Sequence, residues 1–261
     1  MTNGEEQRLA PENPPGFVVR TEAQKAAWDN GYRLEQGLDE GWLRYASTTA
    51  PGAVWIAGTS PHGPWFLSIA HAGVVAEIGG LPASPVAGPG LVTFVLATLS
   101  DLHAALDRVY KLAVSLPDAP LSRFRVKTKD LPQRTETERL VIQRIGQDIF
   151  REALMDYWGG RCPLTGITEP ALLRASHIVP WADCEDEQRL DVHNGLLLSA
   201  LWDAAFDKGL VSFGDDGTVL VSPSLSEVAQ TALGVDRAPP LNGLRDEHRR
   251  NLAAHRARHG Y

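Results

Sequence analysis

The chain is expected to be α+β: an antiparallel β-rich first domain with one packed helix, followed by a domain whose centre is built as strand, strand, helix. Three observations predict this. Short runs of aromatic and branched residues between positions 42 and 97 are separated by Pro-Gly and Gly-Gly pairs. A long amphipathic helix over 135–158 opens on a T-x-x-E box. Beyond it, two short β-like runs precede a helix-start signal at Ser199.

The first dozen residues are polar and are expected to fray. Thr21 can cap a short helix reaching Trp28, which Gly31 helps to end. Runs at 42–47, 53–57, 64–70, 74–78 and 91–97 predict strands of an antiparallel sheet, punctuated by Pro51-Gly52, Gly63-Pro64 and Gly79-Gly80. Ser100 then opens a helix in which Leu102, Leu106, Val109 and Val114 keep to one face, and it stops before Pro117. This places the first domain at 1–120.

Residues 121–134 form a basic linker, with Arg123, Arg125, Lys127 and Lys129 at every second position. Thr135 and Glu138 make a capping box for the longest helix, and Val141, Ile145, Ile149 and Ala153 lie four apart with Phe150 and Leu154 beside them. That stripe is core, and Gly159-Gly160 ends the helix. In the second domain, 135–261, the runs 161–166 and 172–178 are expected to pair as a hairpin. Ser199 is an N-cap for a helix over 200–208 with Gly209 as its C-cap, and 210–213 and 218–221 form another hairpin across Gly214-Asp215-Asp216-Gly217.

With 261 residues, 43% of them hydrophobic, the chain can bury two cores. No secretory leader is evident and no apolar run approaches the roughly 18 residues that would span a bilayer, so a cytoplasmic protein with no membrane partner is expected. Cys162 and Cys184 occur without any C-x-x-C, which predicts neither a disulfide nor structural zinc. A net charge of -7 argues against a protein that coats nucleic acid over its whole surface. Local basic stretches are the alternative. Arg123 to Lys129, and Arg249, Arg250 and Arg256 nearer the C-terminus, either contact phosphate or form a solvated linker and a solvated helix face.

The chemistry is concentrated in one stretch. Ser176-His177-Ile178 is followed by Asn194-Gly195 and then by Asp203 and Asp207, nine and thirteen positions after that asparagine. The two acids project from one helix face, a spacing that suits joint coordination of a hard cation. A strand-borne histidine beside them can deprotonate water while the cation grips a phosphate. In a strand, Leu173, Ala175 and His177 share one face and Arg174 and Ser176 the other, so His177 can line a cleft only at the strand's end. His193 is expected to be a solvated turn residue and Cys162 a buried one. Arg174 either faces the scissile phosphate or pairs with an acid.

These residues resemble the HNH endonucleases, in the branch with R-C-x-x-T-G-I, L-x-x-A-S-H-I-x-P-W, N-G-L-L-L-S and F-D-x-G. The matching positions are 161–167, 172–181, 194–199 and 206–209, and the resemblance extends over about 135–258. It implies a ββα-metal domain in which His177 is the general base and Asn194 braces the loop and orients that histidine. Asp203 takes the third-letter metal position and Asp207 the second ligand position on the same helix. It also implies DNA as the partner, double-stranded DNA being favoured, and one divalent ion per site. Carboxylates in place of imidazoles favour Mg²⁺ or Mn²⁺ over Zn²⁺. The family commonly places a further ligand where Ser176 stands here, and a water is one way to fill that position.

A separate β-rich domain ahead of such a nuclease suggests target selection, as in restriction enzymes that recognise modified DNA, by analogy alone. Trp42, Tyr45, Trp55, Trp65 and Phe66 either stack on a base or fill the core. Three functions follow: a defence endonuclease whose first domain chooses DNA; a nuclease for nicking or mobile-element processing with a protein-interaction domain in front; or an inactive DNA-binding protein. Pairing of active sites to cut two strands makes a homodimer a reasonable assembly.

Overall fold

Contacts divide the chain into two units, Met1–Val114 and Ser115–Tyr261. The computed structural model describes residues 9–132 and 134–261. Residues 1–8 of the stretch expected to fray, and residue 133 of the expected linker, lie outside the described residues. No helix among the described residues is long and apolar enough to cross a membrane.

The first unit contains α1 (Phe17–Asp29), β1 (Leu34–Asp39), β2 (Trp42–Ala46), β3 (Ala53–Gly58), β4 (Trp65–Ile69), α2 (Ala72–Glu77), β5 (Val92–Leu96) and α3 (Leu99–Ser115). Its strands form one antiparallel sheet in chain order. Leu43, Ile56, Leu67 and Phe94 stand in register across it and are all buried, while the neighbouring row is Arg44, Trp55, Ser68 and Thr93.

Two expectations are corrected here and one strand is added. Residues 74–78 are not a strand: His71 Nδ1 accepts the Val74 N–H at 3.2 Å and starts α2, so a local cap overrides the β preference of paired valines. Helix α1 begins four residues before Thr21, whose hydroxyl donates to the Phe17 carbonyl at 2.8 Å instead of capping. Strand β1 is an exposed edge with a bulge between Glu35 and Gly37, and its pairing with β2 defines it. Among the candidate stacking aromatics, Trp42, Tyr45, Trp65 and Phe66 are buried in the core. Trp55 is half-buried, with the Arg44 guanidinium 5.4 Å from its ring centroid.

The second unit runs through α4 (Asp118–Thr128), α5 (Glu136–Tyr157), β6 (Leu173–His177), α6 (Asp186–Arg189), β7 (Gly195–Ser199), α7 (Ala200–Asp207), β8 (Val211–Phe213), β9 (Val219–Val221), α8 (Glu227–Leu233) and α9 (Asp246–His259). Most of the expected linker is the helix α4, which packs against α5 and carries Asp118 in its first turn, where the helix dipole favours an acid. Both bonds of the Thr135–Glu138 capping box form: Glu138 N donates to Thr135 Oγ1 at 3.2 Å and Thr135 N to Glu138 Oε2 at 2.9 Å.

The expected hairpin of 161–166 with 172–178 does not form. Residues 162–167 close on themselves, with Cys162 N donating to the Ile167 carbonyl and Gly166 N to the Cys162 carbonyl, both at 2.9 Å, and Pro163 has no N–H to offer a ladder. The antiparallel partner of β6 is β7, with Leu173 opposite Ser199 and His177 opposite Gly195. Strands β8 and β9 pair as expected across the Gly214–Gly217 turn. The core of this unit gathers Leu173, Leu196, Leu197, Leu198, Trp202 and Phe206 around the β6–β7 ribbon; β7 is buried along its whole length, while β6 leaves Arg174 exposed and Ala175 and His177 half-buried.

Candidate active site

Helix α5 covers one face of the β6–β7 ribbon. A Cβ on Gly195 would fall 2.5 Å from Phe150 Cζ and 2.8 Å from Leu154 Cδ1, so the glycine of Asn194-Gly195 is what lets α5 approach. Opposite that glycine, the His177 ring stacks on Phe150 with centroids 3.8 Å apart and planes at 18°, and Trp181 stands edge-on to it at 5.5 Å. Its Nε2 lies 2.9 Å from the Arg189 carbonyl oxygen. A carbonyl only accepts, so Nε2 carries the proton and the lone pair is on Nδ1, which takes no hydrogen bond among the described residues. Burial pushes the imidazole pKa down; the Arg189 carbonyl opposes the shift and the Arg189 charge adds to it.

Asn194 is fully buried and ties the loop after β6. Its Oδ1 accepts Val179 N–H at 2.8 Å, and its Nδ2 reaches the carbonyls of Val179 and Gln188, both at 3.2 Å, and Cys184 Sγ at 3.5 Å. Its own carbonyl accepts Ile178 N–H at 3.0 Å. One side chain thus joins the two ends of the segment that delivers the Arg189 carbonyl. Cys162 and Cys184 are buried free thiols.

The other side of the ribbon faces α7. Here Ser176 stands beside the Asp203 carboxylate, and the charges of Asp207 and Arg174 act on the same group. Burial raises the Asp203 pKa most, the Ser176 hydroxyl opposes that, Asp207 adds to it and Arg174 opposes it. Ser199 precedes α7 in the extended conformation of an N-cap, with no side-chain cap bond. Asp207 is exposed and pairs with Lys208 at 2.9 Å. Arg174 Nη1 donates to the carbonyls of Ala171 and Leu173, each at 2.9 Å, which holds its guanidinium on the Ser176 face.

The donor set fits a hard divalent ion. Asp203 is a partly desolvated carboxylate burdened by a second carboxylate one helical turn away, a strain that a cation relieves. Among the described residues no group of three His, Cys, Asp or Glu side chains is gathered, so water and phosphate oxygens would complete the shell. The structure therefore brings Asp203 together with Ser176, Asp207 and Arg174. His177 is held separately, one residue further along the strand.

Apart from Lys127, the basic candidates are engaged elsewhere. Arg123 pairs with Glu152, and Arg125 with Glu187 at 2.7 Å, while Lys127 is exposed on α4. Along α9, Arg249, Arg250 and Arg256 pair with Asp246, Glu247 and Asp215. His193 is not a solvated turn residue: it is buried, with Nδ1 2.9 Å from Asp191 Oδ1, edge-on to Tyr157 and His248. Residue patterns missed the Arg189 carbonyl, because any residue type supplies a carbonyl. Trp181 and Phe150 were visible only as a motif letter and a core position.

A comparison with curated proteins finds no match to this chain. Residues 162–214, the stretch that holds His177, Asn194, Asp203 and Asp207, match the family model described as HNH endonuclease, so this segment of the second unit is an HNH endonuclease domain.

Proposed function

We propose that the chain is a metal-dependent DNA endonuclease in which His177 is the general base and Asp203 and Asp207 hold one Mg²⁺ or Mn²⁺ ion. The observation that supports this best is the divergence at the end of β6. Ser176 reaches Asp203 on one side, and the next residue, His177, presents an imidazole with an unprotonated Nδ1 on the other. Consecutive Cα atoms are about 3.8 Å apart, so a base and a pair of acids are served from adjacent backbone positions.

In this reading Nδ1 of neutral His177 takes a proton from the attacking water, and the Arg189 carbonyl stabilises the imidazolium that results. Arg174 sits on the acidic side, where its guanidinium suits a phosphate oxygen. Asn194 keeps the loop closed behind the base. The bound ion would supply charge neutralisation at the phosphate. Products would carry 5′-phosphate and 3′-hydroxyl ends.

The residues of this site all lie in the second unit, which leaves the first unit available for target selection. Trp55, half-buried beneath Arg44, would be the member of the aromatic set to stack on a base. A restriction or defence role, including recognition of modified DNA, accords with that division, and a homodimer would account for cutting both strands. The test is digestion of unmodified, methylated and hydroxymethylated plasmid with Mg²⁺, with Mn²⁺ and with EDTA. Cleavage dependent on metal and on base modification is expected. Cleavage indifferent to modification would remove the selective role, and no cleavage of any substrate would remove the enzyme.

A further inference from the structure

Among the described residues, the one side-chain hydrogen bond of His177 goes to a backbone carbonyl, so whatever fixes the chain at Arg189 also fixes the imidazole. Three contacts hold that point. Arg189 Nε donates to the Trp181 carbonyl at 2.9 Å, its Nη1 to Asp186 Oδ1 at 3.0 Å, and its guanidinium carbon lies 5.3 Å from the Trp181 ring centroid. The Trp181 ring then stands edge-on to His177. Loop and ring are thereby closed upon each other through two side chains, both only partly exposed.

The seat of the tryptophan is on α5. A Cβ on Gly146 would fall 2.5 Å from Trp181 Cη2 and 3.3 Å from Phe124 Cε2. Glycine is the poorest helix former after proline, so its place in the interior of a 22-residue helix runs against local preference. The notch it leaves is occupied by the indole.

We propose that Gly146, Trp181 and Arg189 act together as a clamp that positions His177, making Trp181 and Arg189 positioning residues for the cleavage reaction. This rests on the reading of His177 as general base. The clamp selects the ring tautomer with the proton on Nε2 and holds Nδ1 outward. It makes two predictions that a merely structural role would not. Loosening it should lower turnover with little change in DNA binding, and it should mix the tautomers of one histidine.

The experiment uses the full chain with Gly146→Ala, Arg189→Ala, Arg189→Lys, Trp181→Phe and His177→Ala. Plasmid cleavage with Mn²⁺ gives kcat and KM separately, and long-range proton–nitrogen spectra of the imidazoles read the His177 tautomer without reference to activity, the His177→Ala spectrum supplying the assignment. Gly146→Ala and Arg189→Ala are expected to lower kcat by up to about 10²-fold, with KM within about twofold. Arg189→Lys should recover part of the loss, and the His177 signals should change from one tautomer to a mixture. Unchanged kcat and an unchanged tautomer in folded Gly146→Ala or Arg189→Ala overturn the clamp. If either variant fails to fold, Arg189→Lys and Trp181→Phe decide by the same spectra. Full cleavage by His177→Ala instead overturns the base assignment beneath it.

Discussion

Two histidines of the second unit are built almost alike and differ in one nitrogen. His177 stacks on Phe150 at 3.8 Å and His255 on Phe206 at 3.9 Å, and each donates from Nε2 to a backbone carbonyl, that of Arg189 at 2.9 Å and that of Phe206 at 3.0 Å. His255 also has its Nδ1 3.0 Å from the Ser212 hydroxyl and is only 4% exposed. His177 sits at a strand's end with Nδ1 unbonded among the described residues. Stacking and the bond to a backbone carbonyl therefore do not distinguish a candidate base from a structural histidine. The availability of the second nitrogen does.

Paired alanine variants test that distinction most severely. His177→Ala should lower DNA cleavage by about 10²–10⁴-fold, the usual contribution of a general base, with the unfolding midpoint changed much less than in the other variant. His255→Ala should instead cost about 2–4 kcal/mol of stability, because it opens a cavity and strands a buried hydroxyl and carbonyl. Plasmid cleavage and urea unfolding on both proteins measure the two effects. The reverse assignment of effects would break the comparison.

The pH response sharpens it. Burial lowers both imidazole pKa values, that of His255 to about 4. For His177 a lowered value means that the ring stays neutral below the ordinary 6.5, so the acid limb of the cleavage profile should lie below pH 6.5; a midpoint at or above it would contradict the assignment. For His255 the unfolded chain takes up its proton near 6.5 and the folded chain only near 4. Stability from this group is therefore complete above about 6.5 and is lost as pH falls toward 4. His255→Gln, which cannot titrate, should flatten that part of the curve of urea midpoint against pH, whereas His177→Ala should leave most of it.

Which features could be foreseen follows from how local their causes are. The capping box of α5, the helix start after Ser199, the β8–β9 turn and the Asp203–Asp207 spacing are set by residues within a few positions of one another, and all were legible. The pairing of β6 with β7 was not. Gly195-Leu196-Leu197-Leu198-Ser199 is buried throughout, so it shows no alternation to mark it as a strand. The geometry around His177 was hidden for a different reason: its partner is a carbonyl twelve residues away, which leaves no trace in residue identity. By contrast, the approach of Ser176 to Asp203 was half legible. The strand period placed Ser176 away from His177, but only α7 folding back over the ribbon brings Asp203 to it.

The smallest expected effect concerns the platform beneath His177. Thr135→Ala removes the hydroxyl that accepts Glu138 N–H at the start of α5, a loss worth about 1 kcal/mol. Phe150 lies fifteen residues further on, about four helical turns, and is fixed there by the ribbon and the His177 ring. The cap therefore stabilises the helix without orienting the base: the urea midpoint should fall slightly while kcat at pH 7.5 stays within about twofold. A fall in kcat larger than the loss of folded protein would mean that fraying at Thr135 reaches the stack on Phe150. His177 would then depend on the whole length of α5, as His255 depends on the closed packing around it, and the contrast between an adjustable site and a sealed one would narrow.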